Sequence, residues 1–258
     1  MSFKVFIFGK GGCGKSTIVS LLARALAGMD HRVLVVDNDE SNVTLYRMLG
    51  IEPPPKTLLE YFGGRKKVAD SLFRGAGSIE LDLLAGKGID GLPEEVLSRE
   101  DRLYLTIVGK VSGFGEGCAC PSNALAREFL KRLRLYEGDF VLVDSDAGLE
   151  HFGRGVEEAC DLLLMVVDPT YESVVLAERA REMALQADKP LYYVLNKVSD
   201  DVLEVLLSSV PREALLSMVE YDSELAKRSL LGEKLNEIPD EIHELARTLI
   251  GIAGKDPS

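Results

Sequence analysis

Basic residues are scarce in this chain. Its 258 residues carry 30 Lys and Arg against 42 Asp and Glu, a formal net charge of −12. A sequence-independent nucleic-acid binder needs a basic face that displaces counterions. The clusters Arg65-Lys66-Lys67 and Lys131-Arg132-Leu133-Arg134 are short and flanked by acids, so they read as solvated faces and no nucleic-acid partner is expected. Long apolar runs are also missing. Leu162 to Val167 falls far short of a membrane span. The stretch Ile238 to Ile252 sets Asp240, Glu241 and Glu244 against Arg247, unlike the basic helix that lies on a membrane surface. No membrane partner is expected. The chain enters its first strand at Phe3, which leaves no room for a signal peptide, and a cytoplasmic location is expected. Cysteine is sparse as well. In that compartment Cys13, Cys118, Cys120 and Cys160 are not expected to form a disulfide framework, so each is a metal ligand or simply buried.

What is present is an alternation of apolar runs and helical stretches. Phe3–Phe8, Arg32–Val36, Leu103–Val108, Phe140–Val143, Asp161–Val167 and Leu191–Leu195 read as strands, with Leu215–Val219 as a possible last one. Ile79–Leu84 reads as a short strand and Gly86–Leu92 as a surface loop. Ser122–Tyr136, Tyr171–Ala187 and Ile238–Ile252 read as helices, and shorter ones are expected at Val43–Leu49 and Thr57–Phe62. The expected fold is α/β, three layers with a mainly parallel central sheet flanked by helices, as one domain over residues 1–258.

Between the first strand and first helix lies Gly9-Lys10-Gly11-Gly12-Cys13-Gly14-Lys15-Ser16-Thr17. Gly9, Gly14, Lys15 and Ser16 match G-x-x-x-x-G-K-[ST], the phosphate-binding loop. Backbone N–H groups of Gly11, Gly12, Cys13, Gly14, Lys15, Ser16 and Thr17 are expected to wrap nucleotide phosphates at a helix N-terminus. Lys15 would neutralise the β- and γ-phosphates, and the Ser16 hydroxyl would ligate Mg²⁺. Asp144 ends a buried strand in the Walker B position and is expected to hold Mg²⁺ through water. Gly148, in Asp144-x-x-Ala147-Gly148, is placed to sense the γ-phosphate. Asn196 ends another strand, where its amide can meet an adenine edge. The guanine-reading acid of N-K-x-D is absent, since Ser199 stands in its place, so ATP is favoured over GTP.

Lys10, directly after the first glycine, resembles the deviant Walker A of the MinD/ParA/nitrogenase iron-protein superfamily. That resemblance implies an ATPase dimer in which Lys10 reaches the partner's nucleotide, with Lys10 and Lys15 both catalytic. It also implies that Asp39 positions or deprotonates the attacking water while Asp37 helps to organise the metal. The proline frequent after the second acid is replaced here by Glu40.

Cys118-Ala119-Cys120-Pro121 offers two sulfurs. In an extended segment they share a face, and Pro121 is expected to keep Cys120 out of a helix. Two thiolates leave a four-coordinate site half built, which a two-fold dimer completes. Zn²⁺, Ni²⁺, Cu(I) and an iron–sulfur cluster are all compatible with such a site. Gly109-Lys110-Val111-x-Gly113-Phe114-Gly115-Glu116-Gly117-Cys118-Ala119-Cys120-Pro121 and Asp144-x-x-Ala147-Gly148-Leu149-Glu150-His151-Phe152-Gly153-Arg154-Gly155 are similar to the CooC family over residues 1 to about 200. That resemblance implies a homodimeric ATPase that binds nickel or zinc at Cys118 and Cys120 and helps insert nickel into carbon monoxide dehydrogenase. Two alternatives stand beside it. One is an iron–sulfur scaffold or reductase like the nitrogenase iron protein. The other is a MinD/ParA-type positioning ATPase without metal. Cys160 is expected to be buried, and His151 to make a switch contact rather than bind metal.

Overall fold

Strands of a parallel sheet covered on both faces are apolar on both sides, and the first strand shows this. β1 (Phe3–Gly9) buries Phe6 and Phe8 in one core and Val5 and Ile7 in the other. The computed structural model describes residues 2–74, 86–110, 119–149 and 155–254. After β1 come α1 (Lys15–Gly28), β2 (Arg32–Asn38), α2 (Leu45–Leu49), α3 (Leu58–Tyr61), α4 (Arg65–Arg74), β3 (Ser98–Glu100) and β4 (Leu103–Ile107). The second half adds α5 (Cys120–Arg132), β5 (Asp139–Ser145), β6 (Leu162–Val167), α6 (Tyr171–Gln186), β7 (Leu191–Val198), α7 (Leu203–Ser208), β8 (Leu215–Glu220), α8 (Ser223–Leu231) and α9 (Asp240–Ala253).

Among the described residues the strands form one sheet in the order β3-β4-β2-β5-β1-β6-β7-β8. Every pairing is parallel except β3 with β4 at one edge. The expected three-layer α/β architecture is therefore present. Side chains of α1, α2 and α9 fill one face, and those of α4, α5, α6 and α7 fill the other. α9 buries Ile242, Leu245, Ala246 and Leu249 and packs on α1 and β8, so its apolar stripe faces the core. No described helix is long and apolar enough to cross a membrane.

The sheet places β1 between β5 and β6, while the chain leaves β1 for β2 on the far side of β5. Such a reversal opens a crevice at the carboxyl ends of the strands. In register, Ile7 of β1 and Asp37 of β2 both flank Asp144 of β5. Three loops therefore converge where the phosphate-binding sequence begins.

Several local expectations are corrected. α5 begins at Cys120, with Pro121 in its first turn. Proline is excluded from a helix interior, but a first-turn N–H has no helical partner to lose. The helix α4 was concealed because Arg65-Lys66-Lys67 reads as a solvated surface; Val68 is its buried anchor. β3, α7 and α8 are too short to carry a readable period. The segment Gly86–Leu92 contains a single 3₁₀ turn at Ile89–Gly91. The strand expected at Ile79–Leu84 lies outside the described residues.

Candidate functional site

The loop after β1 turns through positive φ at Gly9, Gly12 and Gly14. Gly14 matters most: its φ is 100°, and a Cβ there would collide with the Asn196 side chain. This turn hands the chain to α1, whose first turn starts at Lys15. Lys15 is buried, with Nζ 3.3 Å from the Lys10 carbonyl oxygen. Cys13 is enclosed beneath the loop, and burial pushes its thiol up to about 11.

Ser16 Oγ donates to Asp144 Oδ2 at 2.7 Å, joining the start of α1 to the end of β5. Asn42 Nδ2 donates to both, at 2.8 and 3.3 Å. The second oxygen, Asp144 Oδ1, is buried and has no hydrogen-bond partner among the described residues. Burial pushes this carboxyl up to about 6. A hydroxyl and an unpartnered buried carboxylate oxygen, beside a phosphate-binding loop, are the donor set a Mg²⁺ ion takes. The residues present fit that ion.

Asp37 and Asp39 follow on from β2 but have different environments. Asp37 is buried, and burial raises it to about 7 although Lys110 Nζ lies 2.7 Å from Oδ2. Lys110 also donates to the Asp39 carbonyl oxygen at 2.6 Å. Asp39 Oδ1 accepts from the Ser41 N–H, the Ser41 hydroxyl and the Asn42 N–H, which bends the loop around it. Burial opposes the charge on Asp39, but the bonds from Ser41 and from Asp146 outweigh it and hold the carboxyl low. Asp146 is pushed up to about 7, by burial first and by the Asp39 carboxylate second. Of the two acids, Asp146 is the one that holds a proton more readily and Asp39 the one held charged.

The other expected residues lie around the same crevice. The Gly148 N–H donates to the Gly9 carbonyl at 3.0 Å, so contact with a phosphate requires that bond to be exchanged. Asn196 Nδ2 donates to the Cys13 carbonyl at 2.8 Å. Lys10 Nζ lies 3.6 Å from Asp168 Oδ2, beyond the end of β6. Asp168 is held low against its burial by Ser173, Thr170 and Lys10. A cavity of about 470 Å³ runs from Gly11–Thr17 past Asp39 and Asn42 to Asn196, Tyr221 and Asp222. Asn42, Lys110, Asp146 and the wall from β8 to α8 were not anticipated as site residues. Asn42 and Asp146 stand three and two residues from acids that were. Tyr221 and Asp222 had no motif to mark them.

Cys120 lines a different cavity of about 650 Å³, with Lys110, Arg65 and Pro121. Its position at the start of α5 removes the extended geometry expected for the pair, and Ala119 before it has φ −68° and ψ 3°. Cys120 is disulfide-bonded, where no disulfide was expected. Cys118 lies outside the described residues, as do His151 and Arg154. Among the described residues no group of three or more His, Cys, Asp and Glu is arranged to hold a metal ion. Cys160 is buried, and burial pushes its thiol up to about 12.

Residues 4–235 match the family model of the CobQ/CobB/MinD/ParA nucleotide-binding domain. An uncharacterized ATP-binding protein of Methanocaldococcus jannaschii, MJ0084, is 43% identical over 247 residues, covering 95% of this chain and 99% of that one. The carbon monoxide dehydrogenase accessory protein CooC of Rhodospirillum rubrum is 29% identical over 257 residues, covering 97% of each chain. The septum site-determining protein MinD from Pyrococcus horikoshii, solved with Mg-ADP, superposes with a TM-score of 0.70 at 20% identity over 98% of each chain.

Proposed function

The chain belongs to the CobQ/CobB/MinD/ParA nucleotide-binding family, and from that premise we propose that it is a Mg²⁺-dependent ATPase. We further propose that its homodimer carries nickel to carbon monoxide dehydrogenase. The observation that carries the ATPase reading is the Ser16–Asp144 pair with its unpartnered Oδ1. The client is supported by likeness to CooC along nearly the whole chain.

In this reading Gly11 to Thr17 wrap the phosphates, and Lys15 neutralises charge on the β- and γ-groups. Ser16 and Asp144 would hold Mg²⁺, which when bound would neutralise charge on the phosphate oxygens. Asp37 supports that corner through Lys110. Asp39 accepts a hydrogen bond from the water and orients it toward the γ-phosphorus. Gly148 exchanges its bond with Gly9 for one with the γ-phosphate. Lys10 leaves Asp168 and reaches the partner's nucleotide, so that closure of the dimer and completion of the site are one event. Asn196 supports the loop and borders the base. Cys118 and Cys120, once reduced, supply two thiolates from each subunit to a shared nickel or zinc ion, which is cargo.

The test is metal analysis of the reduced, anaerobically purified protein with ADP and with a non-hydrolysable ATP analogue. About one nickel per dimer, lost in a Cys118→Ser/Cys120→Ser variant that still hydrolyses ATP, is expected. A brown protein with iron and sulfide would replace the nickel reading by the iron–sulfur one. ATPase activity with no metal, and no effect of the cysteine changes, would favour a positioning ATPase.

A further inference from the structure

Glu40 stands where the resemblance leads one to expect proline, and the structure shows what the exchange allows. A residue with an N–H at position 40 can donate, and Glu40 N donates to Asp146 Oδ1 at 2.9 Å. Its buried carboxylate accepts from Arg65 Nη2 at 2.9 Å and from the Ser122 hydroxyl. Arg65 Nη1 also donates to Ser122 Oγ, at 3.3 Å. Proline would remove the first bond and the carboxylate together.

A second connection runs alongside. Asn38 Nδ2 donates to Asn123 Oδ1 at 2.8 Å, and Asn123 Nδ2 donates to the Ala119 carbonyl at 3.1 Å. Asn38 and Asn123 are each 1% exposed, so the bond between them is shielded from water. Ala119 is the residue between the two cysteines, and Ser122 and Asn123 sit in the first turn of the helix that Cys120 opens. Asn38 and Glu40 bracket Asp39. The loop that carries the water-orienting acid is therefore bonded on both sides to the first turn of α5.

We propose that Asn38 and Glu40, acting through Asn123 and Ser122, are positioning residues that transmit the nucleotide state to Cys120 at the start of α5. This rests on the reading of the crevice as an ATP site, and it needs no metal. Any rearrangement of residues 38–40 around a γ-phosphate must either carry the turn at Ala119–Asn123 with it or break these bonds. Glu40 also ties to Asp146, two residues before Gly148, so both loops beside the γ-phosphate act on the same helix start. The Asp39 loop is the one in direct contact with that helix start.

The experiment uses the full-length protein, reduced and metal-stripped except for Mg²⁺. It is labelled with iodoacetamide at saturating ADP or saturating non-hydrolysable ATP analogue, and Cys120 alkylation is followed by mass spectrometry. The wild-type rates should differ between the two nucleotides by on the order of five-fold or more. Ser122→Ala, on the helix side, and Glu40→Gln, on the loop side, should each bring that ratio to within about two-fold of unity. A merely structural role would shift both rates together and leave the ratio intact. Equal wild-type rates, or a wild-type ratio in Ser122→Ala, would overturn the proposal. Nickel is absent throughout, so failure of the nickel reading leaves this result standing, and a nickel-binding protein with no nucleotide-dependent ratio would lose only the coupling.

Discussion

The side-chain amide of Asn196 donates to the carbonyl oxygen of Cys13 at 2.8 Å, which ties the end of β7 to the middle of the phosphate-binding loop. The same side chain occupies the space that a Cβ on Gly14 would need. Its shown contact is with the loop. Asn196→Ala should therefore loosen the phosphate site for any nucleotide. Displacement of a fluorescent nucleotide should show ATP and GTP weakened alike, by about three- to ten-fold, the worth of one hydrogen bond. Loss of ATP affinity with GTP unchanged would return Asn196 to the base-reading role.

Asp39 does two things at once, bending its own loop through Ser41 and Asn42 and facing the crevice. Asp39→Asn keeps an acceptor for the loop while removing the charge that orients water. ATP binding should change by less than about three-fold, and steady-state turnover should fall by about a hundred-fold or more. Unchanged turnover would remove the role. Asp39→Ala should lose hydrolysis as well, with a larger change in binding because Ser41 and Asn42 lose their acceptor.

The raised carboxyl of Asp146 makes stability depend on pH in a set direction. Its proton leaves near 3.8 in the unfolded chain and at about 7 in the folded one. The folded state therefore holds the extra proton, and the contribution is complete below the unfolded value and lost as pH rises through about 7. In EDTA without nucleotide, the melting temperature should fall between about pH 5 and pH 8. Asp146→Asn should flatten that fall, since an amide donates to Asp39 without titrating. An equal slope in the variant would mean that Asp146 does not hold the extra proton.

The site was legible to different depths. Gly9 to Ser16 could be read because a phosphate loop needs glycine, lysine and hydroxyl at fixed offsets. Asp144 could be read because an acid ending a buried strand is conspicuous. Asn42 and Lys110 could not, since a loop asparagine and a lone lysine are common everywhere. Cys118 and Cys120 were legible as a pair, but the local rule that kept Cys120 extended failed: helix geometry tolerates proline in its first turn.

By itself the sequence determined the layered α/β fold and the phosphate loop, because both rest on period and on fixed local spacing. Only the tertiary structure decided which loops meet. Register sets Asp37 beside Asp144 across two strands far apart in the chain. Packing of α5 against the end of β2 brings Asn123 to Asn38 and Ser122 to Glu40. Hydrogen bonds across 85 and 82 residues leave no trace in local pattern, since nothing near either partner requires the other.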